Sequence, residues 1–303
     1  MRSLPIDITK VIMSFLIIFL HIGNVFGFGF LNFIFTNGVC RIGVPFFLVV
    51  SGYYFYGISD TQALKKWSVR VLSLYSFWMV FYSPFWIRGD GSKIITIFFG
   101  YYTLWYVIGL FFSGLILYNI RKMSIKLTLS IAIIFYILGY TIQTIGHVFV
   151  LDGLAGKVFS SYLSYRNFIF DCFPFMAIGM IINRLGLSKI KVTPWLLLPC
   201  LAILIFESSI NYYLSPKSVD LMLSLLITTP ILFISISKIR LNSKTKNLSH
   251  FASGLFLSQA LFINLYKHFY DDRGLESFFY ISICTSIASV ALIYLSRKIK
   301  FII

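Results

Sequence analysis

Apolar runs of about 20 residues recur from one end of the chain to the other, and they limit its possible folds more than any other feature. A helix of that length crosses a hydrocarbon layer about 30 Å thick. The composition agrees, because 58% of the residues are hydrophobic and only 12% are charged, whereas about a quarter are charged in a soluble protein. The sequence therefore predicts an all-α, polytopic membrane helical bundle.

Ten such runs predict ten transmembrane helices. The predicted spans cover residues 8–28, 38–58, 69–88, 103–120, 127–149, 167–184, 194–213, 219–237, 249–270 and 276–296. The loops between them are short, and no low-complexity linker or internal repeat divides the chain. We therefore expect a single membrane domain over residues 1–303.

Charged residues are distributed unevenly between the two sides that these spans define. If the amino terminus is cytoplasmic, the inner segments contain 18 of the 26 basic residues and two of the ten acidic ones. The difference, 18 minus 2, equals the net charge of +16, because eight basic and eight acidic residues balance on the outer side. Such a bias predicts that both termini are cytoplasmic. The basic charge thus indicates topology and contact with anionic membrane lipid, and we expect no nucleic-acid partner.

The first predicted span carries a polar stripe. At about 100° per residue, Asp7, Lys10, Ser14 and His21 fall within roughly 60° of one another around the helix. At a rise of about 1.5 Å per residue, His21 lies ~20 Å and Arg41 ~25 Å from the cytoplasmic face, so the two share a similar depth. Each alone is explained by a hydrogen bond to another helix or by snorkelling to the headgroups. Together they indicate a functional site, because ionisable groups inside spans are costly and face the bundle or a cavity.

Two segments, PIDITKVIMSFLIIFLH and CRIGVPFFLVVSGYYF, resemble the opening of the acyltransferase 3 family of integral membrane acyltransferases. In that family, a basic residue precedes a histidine by eleven positions on the first helix, as Lys10 precedes His21 here. An R-x-x-V-P-F-F-x-x-x-S-G pattern opens the second helix, and Arg41 begins it in this chain. The later segments KKWSVRVLSLYSFW, TLWYVIGL and YRNFIFDCFPFMAIGMIIN also resemble family motifs.

The sequence departs from the family pattern at four positions. Lys10 and Trp67 stand where arginines are usual, and Thr103 and Gln259 stand where histidines are frequent. Lysine keeps the positive charge of arginine but not its planar, bidentate donor group. These departures concern donor-binding detail more than the role of His21.

The resemblance implies the transfer of an acyl group, commonly acetyl from cytoplasmic acetyl-CoA, to a hydroxyl of a cell-surface or exported glycan or a lipid-linked saccharide. Acetyl-CoA would be a donor substrate, and we expect no bound cofactor and no metal. His21 would act as the general base, or would itself carry the acyl group. The candidate donor- and substrate-binding residues are Lys10, Arg41, Lys66, Arg70, Trp105, Tyr106 and Arg166. A multi-pass protein of the bacterial cytoplasmic membrane is expected.

Two other functions remain open from the sequence. A transporter or flippase of a glycan or small solute would suit ten spans with buried charge, although matched inverted repeats and broken helices are not evident. An amino-acid-handling membrane domain is the other, because the membrane half of vancomycin-resistance-type serine racemases shares the C-R-x-x-V-P-F-F segment. Those proteins carry a soluble racemase domain, which we do not expect in these 303 residues.

Overall fold

The computed structural model describes residues 2–27, 29–89, 91–189, 194–215, 217–239, 241–243, 245–270, 274–299 and 301–303. Four basic residues counted on the inner side, Lys191, Arg240, Lys244 and Lys300, lie outside the described residues. The first helices of the bundle are α1 (Leu4–Ile22), α2 (Phe30–Asn37), α3 (Gly43–Phe55), α4 (Thr61–Phe81), α5 (Ser83–Trp86), α6 (Lys93–Phe99) and α7 (Trp105–Ile120). They are followed by α8 (Ile125–Val148), α9 (Gly153–Ser160), α10 (Phe173–Arg184), α11 (Leu197–Leu214), α12 (Leu225–Ser237), α13 (Asn247–Phe269) and α14 (Leu275–Ser296).

Every predicted span contains a helix, and the all-α membrane bundle is confirmed. Seven helical stretches among the described residues are long and apolar enough to cross a membrane: Leu4–Ile22, Phe30–Phe55, Tyr102–Ile120, Ile125–Val148, Leu197–Leu214, Asn247–Phe269 and Leu275–Ser296. Of the other predicted spans, α4 carries three basic residues in its first half, and α10 and α12 are only 12 and 13 residues long. The count of ten and the cytoplasmic termini stay predictions.

The centre of the bundle is built on a close crossing of α3 and α10. A Cβ atom added at Gly52 would lie 2.0 Å from the carbonyl oxygen of Met176, and one added at Gly179 would lie 2.1 Å from that of Val49. Glycines allow helix backbones to approach this closely, which is a frequent packing mode in membranes. The crossing fixes the helix that follows Arg41 against the helix that follows Asp171.

The polar stripe of α1 faces α13. Ser14 Oγ donates to the carbonyl oxygen of Ala252 at 2.9 Å, and Lys10 Nζ donates to Ser249 Oγ at 3.4 Å. A two-residue antiparallel pair, Arg2–Ser3 with Asn242–Ser243, joins the chain before α1 to the chain before α13. Because these polar groups meet a neighbouring helix, α1 packs inside the bundle with its stripe away from lipid.

Candidate active site

His21 lies in the last turn of α1. Its Nδ1 atom is 2.7 Å from the carbonyl oxygen of Ile17, and since a carbonyl only accepts, Nδ1 is the donor. In the neutral ring, Nε2 then carries the lone pair. The helix stops at once, because Gly23 adopts a left-handed φ of +87°, which glycine adopts without strain. The ring is thus held from its backbone side and by the neighbouring ring of Tyr102, 4.9 Å away between centroids.

Two cavities share the His21 side chain as part of their walls. The larger, here called the outer cavity, has a volume of about 360 Å³ and is lined by aromatic rings together with Arg166. Its aromatic members are Phe99, Tyr101, Tyr102, Trp105 and Tyr162. The smaller, here called the buried cavity, measures about 40 Å³ and brings His21 together with Arg41, Arg166, Asp171 and Asp220. His21, Trp105 and Arg166 belong to both walls, so the two spaces adjoin.

Asp220 joins the two arginines of the buried cavity. Arg41 Nη1 and Arg166 Nη1 both donate to Asp220 Oδ1, the second at 3.4 Å. Only 9% of the Arg41 side chain and 8% of the Asp220 side chain are exposed. The carboxylate therefore holds both arginines beside His21.

Arg166 has aromatic neighbours as well. Its guanidinium lies 4.5 Å from the centre of the Tyr162 ring and 5.4 Å from that of Trp105. Cations over aromatic faces are attracted by the ring quadrupole, and the attraction strengthens where water is excluded. Arg166 is thus fixed by an ion pair on one side and by rings on the other, at the junction of the two cavities.

Asp220 reaches this position on a non-helical segment, residues 219–224, that leads into α12. The backbone N–H groups of this segment donate hydrogen bonds of 2.7 to 3.1 Å to side chains of other helices. The acceptors are Asn37 Oδ1, Gln143 Oε1, the Tyr136 hydroxyl and the Glu207 carboxylate. Irregular backbone inside a membrane protein is tolerated only where such partners bury it or where it lines a cavity. Side chains of α2, α8 and α11 thus hold Asp220 in place.

Asp171 belongs to a π-helical turn, Phe168–Cys172, directly before α10. The turn starts at Asn167, whose Oδ1 accepts from the backbone N–H groups of Ile169 at 3.0 Å and Phe170 at 3.1 Å. A π-turn rotates the side chains relative to a regular α-helix and is frequent at functional sites. Here it brings Asp171 into the wall of the buried cavity.

A third cavity of about 270 Å³, here called the inner cavity, opens on the side of Lys10 and Arg70. Ser51 and Tyr106 also line it, with their hydroxyl oxygens 3.3 Å apart. Two cationic groups and a pair of hydroxyls in one wall suit a ligand with an anionic group and a polar, uncharged group. Trp67, which stands where the family has arginine, fills part of this wall and packs against Phe55, 4.9 Å between ring centroids.

Three aromatic rings in the wall of the inner cavity pack against one another. Phe47, Tyr106 and Phe256 pack with centroid separations of 5.2 to 6.3 Å. Trp105 and Tyr106 are consecutive on α7, yet Trp105 lines the outer cavity and Tyr106 the inner one. The first turn of α7 therefore forms part of the partition between the two spaces.

The predicted site residues divide between these cavities. Lys10, Arg70 and Tyr106 line the inner cavity, whereas Arg41, Trp105 and Arg166 line the spaces around His21. Lys66 is exposed on α4 and lines none of the three. The other two departures from the family pattern, Thr103 and Gln259, are buried, and each has a side-chain oxygen without a partner among the described residues.

Sequence reasoning missed Asp171, Asp220, Tyr102 and Tyr162 as members of the site. Asp171 follows Arg166 by five positions in the R-N-x-x-F segment, which is a signal that was available. Asp220 has no such signal, because it meets Arg41 across 179 positions of sequence.

The fold and the site together define a polytopic membrane protein in which a partly buried histidine and two arginines line two adjoining cavities. The family model described as an acyltransferase domain matches residues 5–297, so the chain belongs to the acyltransferase 3 family.

An amino-acid racemase of Enterococcus faecalis is 23% identical over 338 aligned residues, which cover 99% of this chain and 47% of the racemase. The chain thus spans about half the length of this curated relative. No solved structure matches the chain.

Proposed function

We propose that the protein is an O-acyltransferase of the bacterial cytoplasmic membrane, acting as one domain over residues 1–303. It transfers acetyl from cytoplasmic acetyl-CoA to a hydroxyl of a cell-surface or exported glycan or of a lipid-linked saccharide. The observation that carries this proposal is the geometry of His21. Its Nδ1 is bonded to the Ile17 carbonyl oxygen, and the ring borders both the outer cavity and the arginine cluster.

The inner cavity suits the donor. The phosphates of coenzyme A require cations, and Lys10 and Arg70 supply two at its wall. The hydroxyls of Ser51 and Tyr106 offer hydrogen bonds to the polar groups of the pantetheine arm. For the thioester to approach His21, the partition formed in part by the first turn of α7 must open. Separating the two substrates in this way keeps water from the thioester until the acceptor is bound.

The outer cavity suits a saccharide acceptor. Its volume of about 360 Å³ is large enough for a sugar ring, and its wall combines aromatic rings with polar groups, among them three tyrosines, Thr96 and Arg166. Aromatic rings can pack against the faces of a sugar, and the polar groups can accept or donate hydrogen bonds to its hydroxyls. Because His21 is part of this wall, a sugar bound in the outer cavity can direct one of its hydroxyls toward the His21 ring.

The transfer then proceeds by general base catalysis. Nε2 of His21 accepts the proton of the acceptor hydroxyl while its oxygen attacks the thioester carbonyl carbon. The resulting oxyanion is stabilised by the positive charge of Arg41 and Arg166. Collapse of the tetrahedral intermediate breaks the C–S bond, and the thiolate of coenzyme A takes the proton back from His21. A covalent acyl-histidine at Nε2 is the alternative route.

The test is the O-acetyl content of the cell's surface glycans, measured by NMR before and after mild base. The strains compared are a deletion strain and the same strain restored with wild type, His21→Ala or His268→Ala at equal membrane abundance. His268 is exposed at the end of α13 and serves as the matched control. We expect acetyl signals to return with wild type and His268→Ala and to stay absent with His21→Ala. Identical glycans in all strains would rule out glycan acetylation.

The similarity to the Enterococcus racemase favours a second candidate, an amino-acid-handling membrane domain. This candidate predicts that the purified protein binds or racemises a free amino acid without any acyl donor. Equilibrium binding of radiolabelled serine and alanine, with chiral chromatography of the recovered amino acid, tests it. Absence of both binding and racemisation would rule out this second candidate.

A further inference from the structure

The buried cavity contains two aspartates in opposite situations. Asp220 is bonded to both arginines, as described above. Asp171 is 5% exposed and lines the same cavity, yet no described residue donates a hydrogen bond to its carboxyl group. Nor does any described cation lie within 4.0 Å of it, since the described ion pairs of this cavity all end on Asp220. Asp171 thus has the hydrogen-bonding capacity of a full carboxyl group and no hydrogen-bond partner among the residues that the structure describes.

A buried carboxyl group without a partner costs stability. Proteins tolerate such a loss of stability chiefly at functional sites, where the group is needed for binding or catalysis. Asp171 meets this description in two independent ways. Its side chain borders the cavity that also contains His21, and its backbone lies in a π-turn held by Asn167.

The size of the buried cavity limits what Asp171 can bind. At about 40 Å³ it holds a hydroxyl-bearing group but no sugar ring. Because it adjoins the outer cavity at His21, Trp105 and Arg166, such a group can extend from a ligand bound in the outer cavity. The remaining wall near His21 includes the apolar residues Ile17 and Leu20, which offer no side-chain hydrogen bond.

We propose that Asp171 contacts the saccharide that accepts the acyl group. This proposal rests on the proposed function of the site. The carboxyl group of Asp171 accepts a hydrogen bond from a hydroxyl of the saccharide, and this bond orients the acceptor so that its reacting hydroxyl points at Nε2 of His21. Asp220 has a structural role, because its carboxylate accepts hydrogen bonds from Arg41 and Arg166. The two aspartates can therefore be compared directly: Asp171 would bind the substrate, whereas Asp220 binds two side chains of the protein.

The experiment compares Asp171→Asn with Asp220→Asn, since both substitutions replace a carboxyl group by an amide of nearly the same size. Three quantities are measured: the Tm in detergent, the binding of coenzyme A, and the O-acetyl content of glycans in the restored deletion strain. For Asp171→Asn we expect a Tm within about 2 °C of wild type or above it. Coenzyme A binding should be unchanged, and acetyl transfer should fall about tenfold, because the amide oxygen of asparagine accepts a weaker hydrogen bond than a carboxylate does.

Asp220→Asn should instead lower the Tm by about 5 °C or more, because the guanidinium groups of Arg41 and Arg166 both lose their counter-charge. If Asp171→Asn loses as much Tm as Asp220→Asn, Asp171 has a structural role and the inference is wrong. Transfer at the wild-type rate by Asp171→Asn overturns it as well. If the wild type itself transfers no acetyl group, the proposed function fails first, and the role of Asp171 fails with it.

Discussion

Gln143 makes three hydrogen bonds to the irregular segment 219–224, so its replacement tests how far side chains hold this segment in place. Its Oε1 accepts from the backbone N–H groups of Asp220 at 2.8 Å and Leu221 at 2.9 Å, and its Nε2 donates to the carbonyl oxygen of Leu221 at 2.8 Å. Gln143→Met keeps the size of the side chain and removes all three bonds. Three buried backbone groups then have no partner.

The expected loss follows from the number of bonds. Side-chain hydrogen bonds in membrane proteins contribute about 0.6 kcal/mol on average and up to ~1.7, and buried groups left without a partner cost about 1–3 kcal/mol each in water-soluble proteins. For three bonds we expect a decrease of about 2–3 kcal/mol in the free energy of unfolding. Acetyl transfer should fall further than stability alone explains, because Asp220 lies on the released segment and fixes Arg41 and Arg166.

The assay is reversible unfolding in mixed detergent micelles, followed by far-UV circular dichroism. Thr144→Val is the matched control, because it removes one local bond, from Thr144 Oγ1 to the Tyr140 carbonyl oxygen at 2.9 Å, on the same turn of α8. The control should lose less than about 1 kcal/mol. A Gln143→Met protein within about 0.5 kcal/mol of wild type would refute the reasoning that side chains hold this segment in place.

Two further predictions concern helix packing and the inner cavity. Gly179→Ala places a Cβ atom 2.1 Å from the Val49 carbonyl oxygen, so it should lower the free energy of unfolding by about 1–3 kcal/mol in the same assay. The control Gly57→Ala, whose Cβ has no neighbour nearer than 3.5 Å, should be neutral. Equal effects of the two substitutions would contradict the close crossing of α3 and α10. Lys10→Met removes a cation that lines the inner cavity and should raise the KM for acetyl-CoA about tenfold, as expected for one charge-assisted contact. Lys66→Met, at an exposed position on α4, should change it less than about twofold, and the reverse order would show that the donor binds elsewhere.

The helices could be predicted from the sequence because the hydrocarbon layer requires long apolar runs with their backbone groups satisfied internally. Their ends were harder to predict. The first span was predicted to reach residue 28, but α1 ends at Ile22, since Gly23 turns the backbone to positive φ. The eighth was predicted from residue 219, but α12 begins at Leu225, because side chains from three other helices satisfy the backbone of residues 219–224.

Some residues of the site could likewise be predicted from the sequence and others could not. His21 and Arg41 line one cavity, in line with the similar depth predicted from helix rise. Asp220 could not be predicted, because its partner Arg41 lies 179 positions away and only the folded segment brings them together. The orientation of Asp171 depends on a π-turn, which periodicity does not reveal.

The central claim is that His21 activates the acceptor hydroxyl for acetyl transfer. The most direct measurement is the transfer of radiolabelled acetyl from acetyl-CoA to glycan isolated from the deletion strain, catalysed by purified protein in lipid nanodiscs. Wild type and His268→Ala are predicted to label the glycan, and His21→Ala is predicted to be slower by about 10²- to 10⁴-fold, the usual contribution of a general base. Labelling by His21→Ala at the wild-type rate, with the variant folded and bound to coenzyme A, would contradict the claim.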